Sequence, residues 1–202
     1  MLYLGLDLGK LRDFTALAIV EPLPYDELAV RYLERAPLGT PYLRVVQRVT
    51  DLSRDPILNG RCHLVMDGSG VGNPIEEALR TAQGGWRGLT AVTITAGDRA
   101  RQSTGTYGIG DRWNVPRRDL LSALQILLEK GKLKIAAEMP ETRALVRELI
   151  RLRRPSSRRG PQGLTDPDTD GREEHDDLVM AVALACWQAS RTKIGLGTNR
   201  LI

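Results

Sequence analysis

Acidic side chains stand at three places in this sequence where they could act together on a bound cation. Asp7 closes the apolar run LYLGLD, Asp67 follows the apolar run CHLVM, and Asp176 and Asp177 precede the alanine-rich stretch LVMAVALA. Buried central strands have near-continuous apolar sequences, so a carboxylate at the end of such a run is costly to bury unless a cation meets it.

Carboxylates that converge on one point favour metal chemistry. Three or four of them repel one another, which raises the pKa of some, and a divalent cation removes that penalty. Oxygen ligands with few histidines or cysteines suit Mg²⁺ or Mn²⁺. Two such ions about 3.5–4 Å apart can activate a water molecule and stabilise the leaving oxygen in phosphodiester cleavage.

Each acidic position also has a purely structural interpretation. Asp7 could accept backbone hydrogen bonds at a strand end, and Asp67 could be a turn residue in the loop DGSGVG. Asp176 and Asp177 could be helix N-terminal acids, which the macrodipole favours. His175 is interpreted as a capping or surface residue. The combination of positions, rather than any one of them, indicates a metal site.

The elements that must position these acids follow from hydrophobic periodicity, which predicts a mixed α/β sheet with helices packed on its faces in the order βββαβαβαβαα. Strands are predicted at 2–7, 14–20, 27–35, 62–66, 89–95 and 133–136. Helices are predicted at 41–53, from Pro74, and at 116–130, 141–153 and 173–190. The segment 97–114 is interpreted as an extended loop or short ribbon, and 155–172 as a loop or flexible hairpin.

This arrangement would bring the acids together. The turn at 9–13 is short enough for an antiparallel hairpin. Strand-end carboxylates converge if their strands are neighbours, because sites in such sheets form beyond the strand ends. Ala181 and Ala185 follow Asp177 at i+4 and i+8, and their small side chains would let the last helix approach the sheet closely.

The composition indicates one domain, or two small ones, and a polyanionic partner. The 202 residues are 42% hydrophobic and 27% charged, with a net charge of +4. Arginine supplies 24 of the 29 basic residues, and arginine is the better bidentate phosphate ligand, although a genomic bias would give the same excess. One arginine-rich segment is a candidate phosphate track, formed by Arg143, Arg147, Arg151, Arg153, Arg154, Arg158 and Arg159. Arg101 and either Arg117 or Arg118 are weaker candidates for further contacts.

Cysteine and hydropathy patterns exclude other classes. Cys62 and Cys186 lie in segments predicted to be buried, and with two histidines there is no zinc-binding spacing. No signal peptide opens the chain, and no apolar run approaches the roughly 18 residues of a membrane span. We therefore expect a soluble protein in a reducing intracellular compartment.

Four motifs carry a family resemblance: GLDLG around Asp7, VMDGSGVG around Asp67, WNVPRRDLLSAL at 113–124, and EEHDDLVMAVALA around Asp177. In this order they resemble the RNase H-like nuclease superfamily and, within it, the nuclease domain of a bacteriophage large terminase, with thermophilic phages among the candidate sources. The resemblance implies an RNase H-like mixed sheet whose first three strands are antiparallel, with helices on both faces. It covers 1–190 as the nuclease domain and leaves 191–202 as a flexible tail.

The resemblance also implies a ligand set and a function. Asp7 would bridge two divalent ions, Mg²⁺ or Mn²⁺, and Asp67 and the Asp176–Asp177 pair would complete their coordination, with Asp177 the favoured direct ligand. The domain would cut concatemeric double-stranded viral DNA during packaging, in the cytoplasm of the infected bacterium at the procapsid portal. Its implied partners are the terminase ATPase domain, the small terminase subunit and the portal.

One departure from the family pattern concerns the ATPase motor. A full large terminase carries a P-loop ending in Gly-Lys-Ser/Thr, and the glycine-rich stretch at 68–73 lacks the lysine. We therefore expect either an isolated nuclease domain or a different stand-alone nuclease, unable to translocate DNA by itself.

Three alternatives remain open at this point. A Holliday-junction resolvase of the RuvC type would keep the fold and the acidic site and act on branched DNA as a dimer. An actin-like ATP-binding domain would explain LGLDLGK and DGSGVG, but two such lobes are much longer than this chain and would leave 175–177 without a role. A DNA-binding module with an inactive site is disfavoured because every expected acidic position is filled.

Overall fold

A computed structural model describes residues 1–9, 13–70, 72–103, 111–153 and 176–197, in which one eight-stranded sheet carries helices on both faces. The strands are β1 Leu2–Asp7, β2 Ala16–Pro22, β3 Leu28–Arg35, β4 Cys62–Asp67, β5 Trp86–Thr95, β6 Arg101–Ser103, β7 Asp111–Pro116 and β8 Leu133–Ile135. The α-helices are α1 Tyr42–Ser53, α2 Gly72–Thr81, α3 Arg117–Glu129, α4 Thr142–Arg153 and α5 Asp177–Gly197. None of the helices described is both long and apolar enough to cross a membrane.

The sheet has β1 near its centre, in the order β6-β7-β5-β4-β1-β2-β3-β8. Strands β1, β2 and β3 are antiparallel neighbours, as predicted. Strand β1 also pairs in parallel with β4, β4 with β5, and β5 with β7. The carboxyl ends of these four parallel strands therefore lie at one edge of the sheet.

Alternating side chains of the central strands build two separate cores. On one face Tyr3 and Ala18 belong to a cluster that includes buried residues of α3, α4 and α5. On the other face Leu4 and Leu6 belong to a cluster with α1 and α2. The predicted packing of helices on both faces is confirmed, since the period-2 alternation of a strand supplies an apolar surface on each side.

Helix α5 lies directly against the middle of β1. A Cβ atom added at Gly5 would lie 3.0 Å from the carbonyl carbon of Ala181, closer still to its oxygen, and 3.2 Å from the Cβ atom of Ala185. Residues Leu178 to Cys186 of the helix are all buried. The predicted close approach through Ala181 and Ala185 is confirmed, and Gly5 is the partner on the strand that makes it possible.

Several predicted boundaries differ from the structure. Asp176 precedes α5 rather than lying inside it, because its carbonyl oxygen accepts the first helical hydrogen bond from the Met180 amide at 2.9 Å. The prediction that this helix begins at 173 is therefore wrong for Asp176, which lies outside the helix. Residues 173–175 lie outside the described residues. At the other end α5 continues to Gly197 instead of ending at Ser190.

The continuation of α5 coincides with tertiary contacts of Arg191. Arg191 pairs with Asp111 of β7 at 2.6 Å, and its guanidinium lies 4.1 Å from the centroid of the Trp113 ring. These contacts hold Arg191, where a flexible tail is predicted to begin, beside the sheet. The segment 97–114 is predicted as an extended loop or a short ribbon. Its described part forms a short ribbon, in which β6 is antiparallel to β7.

Helical spacing alone does not decide which apolar residues are buried. Leu43 of α1 is 79% exposed, because Val45 and Val49 form the buried face of that helix. Leu152 of α4 is 40% exposed, because α3 and α4 leave between them an open groove of about 580 Å³ that it lines. Both cysteines are buried and free, as predicted for reduced core residues.

Candidate metal centre

Asp7 and Asp67 leave the sheet side by side. Leu6 and Met66 are paired in the parallel β1–β4 ladder, and the two aspartates are the next residue of each strand. Beyond the strand end, Asp67 Oδ1 accepts a hydrogen bond from the backbone amide of Ser69 at 2.8 Å, which closes an Asx turn. The predicted convergence of the strand-end acids is therefore present in the structure.

Asp177 comes to the same edge from the helix above. It is the first residue of α5 and is only 6% exposed. Ala181, one helical turn further along, packs on Gly5, and Asp7 follows Gly5 by two residues. The contact between the helix and the strand thus sets the position of Asp177 over the end of β1.

The electrostatics of Asp7 reflect this grouping. Burial raises the pKa of Asp7 well above its ordinary value, and the negative charges of Asp67 and Asp177 raise it further. Arg117 opposes this rise, and Asp13 adds to it. Three carboxylates from β1, β4 and α5 therefore lie close enough to act on one another, as the order of acids in the sequence predicts.

Asp176 is paired with an arginine at this edge of the sheet. Its carboxylate accepts a hydrogen bond from the guanidinium of Arg117, the first residue of α3. Arg117 is about half exposed and also acts electrostatically on Asp7. Sequence reasoning treated Arg117 and Arg118 as equivalent weak candidates; the structure brings Arg117 to the acidic site, whereas Arg118 pairs with Asp98 and Asp119.

Sequence reasoning missed a fourth carboxylate, that of Glu148. This side chain of α4 is buried, forms an ion pair with Arg35 of β3, and accepts a hydrogen bond from the Val179 amide at 3.1 Å. Burial raises the pKa of Glu148 to about 7, and the charge of Asp177 contributes to the rise. A signal was present, because Glu148 lies three residues after Leu145 on the apolar stripe of its helix.

The donors at this edge of the sheet match a hard divalent cation in chemical type. Asp7, Asp67 and Asp177 offer carboxylate oxygens, the ligands that Mg²⁺ and Mn²⁺ prefer. Within the described residues, no three acidic, histidine or cysteine side chains are close enough to hold an ion as they stand. The carboxylates are thus grouped electrostatically without forming a closed ligand set.

The arginine-rich segment is described only in part. Arg143, Arg147 and Arg151 are exposed on α4, whose inner side carries Glu148. The side chain of Arg153 lies outside the described residues, as do Arg154, Arg158, Arg159 and His175. The three described arginines therefore form a basic row on the outer surface of the helix that borders the acidic site.

No protein-family model matches the sequence, and neither does any curated protein. Among solved structures, the large terminase nuclease from thermophilic phage G20c is 26% identical, with a TM-score of 0.55 over 93% of this chain and 82% of that one. The structure of that nuclease with bound zinc is 23% identical, with a TM-score of 0.57 over 93% and 81%. The Mn-soaked terminase nuclease domain of human cytomegalovirus is 14% identical, with a TM-score of 0.52 over 92% and 81%.

These comparisons confirm the resemblance predicted from the four motifs. The chain has the RNase H-like fold of large terminase nuclease domains, with the mixed sheet and the antiparallel β1-β2-β3 unit. They support a nuclease of the RNase H-like superfamily.

Proposed function

We propose that this chain is a metal-dependent endonuclease that hydrolyses double-stranded DNA at the site formed by Asp7, Asp67 and Asp177. The observation that carries the proposal is the grouping of these three carboxylates, from β1, β4 and α5, at one edge of an RNase H-like sheet. The likeness to the large terminase nucleases supports it.

In the proposed mechanism Asp7 lies between the two flanking ligands Asp67 and Asp177, with Asp176 completing the set. Two divalent ions bound there would supply an activated water molecule and neutralise the leaving oxygen. Burial and the neighbouring charges of Asp67 and Asp177 raise the pKa of Asp7, and a bound cation would offset both effects. Mg²⁺ or Mn²⁺ is the proposed ion, by the oxygen donors of the site.

Arg117 has a separate role in this proposal. Its guanidinium pairs with Asp176 and lies near Asp7, so it can pass from a carboxylate of the protein to a phosphate of the substrate. An arginine offers a phosphate two parallel N–H donors and holds it in a fixed orientation. The residue would therefore orient the scissile phosphate at the acidic edge of the sheet.

The proposed substrate is duplex DNA bound without reading its sequence. Arg143, Arg147 and Arg151 are exposed on the helix beside the site, and arginine contacts to phosphates give affinity that is independent of base sequence. Arg153, Arg154, Arg158 and Arg159 would extend the same track. We further propose the packaging role, namely cleavage of concatemeric viral DNA in the infected bacterium, together with a terminase ATPase domain, a small terminase subunit and a portal.

Plasmid cleavage with Mg²⁺, Mn²⁺ or EDTA tests the proposal when the wild-type chain is compared with Asp7→Ala and Asp177→Ala. We expect metal-dependent linearisation that both substitutions abolish, with Asp51→Ala, an exposed acid on α1, as the control that retains activity. Cleavage that survives both site substitutions would place the active centre elsewhere. A strong preference for four-way junctions over linear duplex would favour the RuvC-type alternative, and ATP hydrolysis without DNA cleavage would favour the actin-like one.

A further inference from the structure

The N-terminus of α5 receives its hydrogen-bond acceptor from another helix. The first amides of a helix have no partner inside it, and the side chain of the preceding residue usually accepts from the second or third. Here Asp176 precedes the helix, and its carboxylate accepts from Arg117. Glu148 of α4 accepts from the amide of Val179 at 3.1 Å, and the neighbouring amide of Leu178 lowers the pKa of the same carboxyl group.

Glu148 is itself fixed in place. Its side chain is buried, and its second oxygen is paired with the guanidinium of Arg35 on β3. Arg35 lies in turn 4.9 Å from the centroid of the Phe14 ring, in the segment that leads into β2. A chain of contacts therefore runs from the sheet through Arg35 and Glu148 to the two amides that follow Asp177.

These contacts add a second point of attachment to α5, besides its packing on β1. The Gly5–Ala181 contact sets how closely the helix approaches the strand, one turn after Asp177, and Glu148 contacts the backbone of the turn before it. Glu148 acts on the backbone of that turn, immediately beside Asp177. Groups that hold metal ligands in orientation commonly change metal affinity by about 10–100-fold when removed.

We infer that Glu148 is a positioning residue for the acidic site: held by Arg35, its carboxylate fixes the amides of Leu178 and Val179 and thereby places the Asp177 carboxylate beside Asp7. The inference rests on the proposed function, in which Asp177 is a metal ligand. Glu148 does not contact the ion or the substrate in this role, and it acts only through the backbone of α5.

The chain offers a matched control in Glu76. This glutamate is also buried and also paired with arginines, Arg80 at 2.7 Å and Arg112 at 2.7 Å, but it lies on α2, on the opposite face of the sheet from α5. Its removal should destabilise the fold through the same kind of broken buried ion pair, without acting on the amides beside Asp177.

The test measures Mn²⁺ binding by titration calorimetry, and amide hydrogen exchange at Leu178 and Val179, at a temperature where every variant is folded. We expect Glu148→Ala to bind Mn²⁺ about 10–100-fold more weakly and to exchange these two amides faster. Glu148→Gln should lose less Mn²⁺ affinity than Glu148→Ala, because the carbonyl oxygen of the glutamine can still accept a hydrogen bond from the Val179 amide. Glu76→Ala should bind Mn²⁺ within about twofold of the wild-type chain, whatever its loss of stability.

The failures of the two proposals can be told apart. Loss of Mn²⁺ binding in Asp177→Asn but not in Glu148→Ala would overturn the positioning role and leave the proposed function intact. Equal losses in Glu148→Ala and Glu76→Ala would overturn it as well, because affinity would then follow general stability. A wild-type chain that binds no Mn²⁺ would refute the proposed function and this inference with it.

Discussion

Gly5 and Ala181 are in backbone contact: a single methyl group on Gly5 would overlap the carbonyl group of Ala181. This contact fixes the separation of β1 from α5 at the smallest value that the two elements allow. Asp7 lies two residues beyond Gly5 on the strand, and Asp177 lies one turn before Ala181 on the helix. The close approach of the two elements that carry these candidate ligands therefore depends on a residue without a side chain.

Substituting Gly5 by alanine should test this relationship directly. The added methyl group must push α5 away from the sheet, and overpacking of this kind costs about 1–3 kcal/mol of unfolding free energy. We expect Gly5→Ala to lower the urea midpoint and to lose more than about tenfold in cleavage rate, because Asp177 moves with the helix.

Gly97→Ala is the control for this prediction. The nearest atom to its new methyl group would be the flexible Thr95 Oγ1 atom at 3.3 Å, on the surface of the protein. Its stability and cleavage should stay close to those of the wild-type chain. A Gly5→Ala variant that is as stable and as active as Gly97→Ala would show that the helix can yield without moving the site.

Arg117 and Arg118 should behave differently although they are adjacent. Arg117 pairs with Asp176 at the acidic edge, whereas Arg118 pairs with Asp98 and Asp119 on the surface. We expect Arg117→Ala to retain Mn²⁺ affinity and to cut DNA at least about tenfold more slowly at saturating metal, because the scissile phosphate loses a donor. Arg118→Ala should cut within about twofold of wild type, and equal losses in both variants would argue for a general basic surface instead.

The basic row on α4 should determine the salt dependence of DNA binding. Each phosphate contact contributes roughly 0.9 to the slope of log affinity against log salt concentration, so replacing Arg143, Arg147 and Arg151 by alanine should lower the slope by about 2–3. Duplexes of different sequence should be affected alike. Fluorescence anisotropy at several salt concentrations measures the slope, and the control replaces the exposed Arg44, Arg61 and Arg87, which lie on other elements. An unchanged slope in the α4 variant would remove this helix from the DNA path.

His63 should make the protein less stable in mild acid. Burial lowers the pKa of His63, with Arg191 contributing and Asp111 opposing. Because the folded pKa lies below the ordinary value of about 6.5, the unfolded chain takes up the proton first as the pH falls. The contribution of His63 to the free energy of unfolding is therefore fully present above about pH 6.5. It declines below that pH, until the folded protein also binds the proton.

Glutamine at position 63 separates this effect from other titrations. His63→Gln can keep a hydrogen bond to Thr90 Oγ1, which lies 2.8 Å from the histidine Nε2 atom, and it carries no titrating group. Denaturant unfolding between pH 5 and 8 should show a smaller loss on acidification for the variant than for the wild-type chain. Parallel pH profiles for the two proteins would assign the acid sensitivity to other residues.

The three converging carboxylates could be predicted because their positions follow from rules of local sequence. Asp7 and Asp67 each end an apolar run, and Asp177 opens a helix whose alanines allow close packing, so the sheet topology alone brings them together. The contacts of Glu148 and Arg117 could not be found in this way. The apolar stripe of α4 marks Glu148 as buried, and Arg117 was one of two equivalent candidates, but spacing along one helix does not show which residues of other elements lie opposite them.

The extent of α5 illustrates the same limit. Alanine-rich sequence ends near Ser190, and helical propensity alone therefore predicts a stop there. Arg191 continues the helix because Asp111 and Trp113, distant in sequence, stand beside it in the sheet. Tertiary contacts override local preference at this point.

The position of α5 in the chain also has a consequence for biosynthesis. Asp7 and Asp67 emerge from the ribosome early, but the helix that carries Asp177 and packs against β1 and β2 emerges long after them. Until then the face of β1 that packs against α5 is exposed, and the acidic site lacks Asp177. Under the proposed function, a growing chain would therefore be unable to cut nucleic acid until α5 has packed against β1.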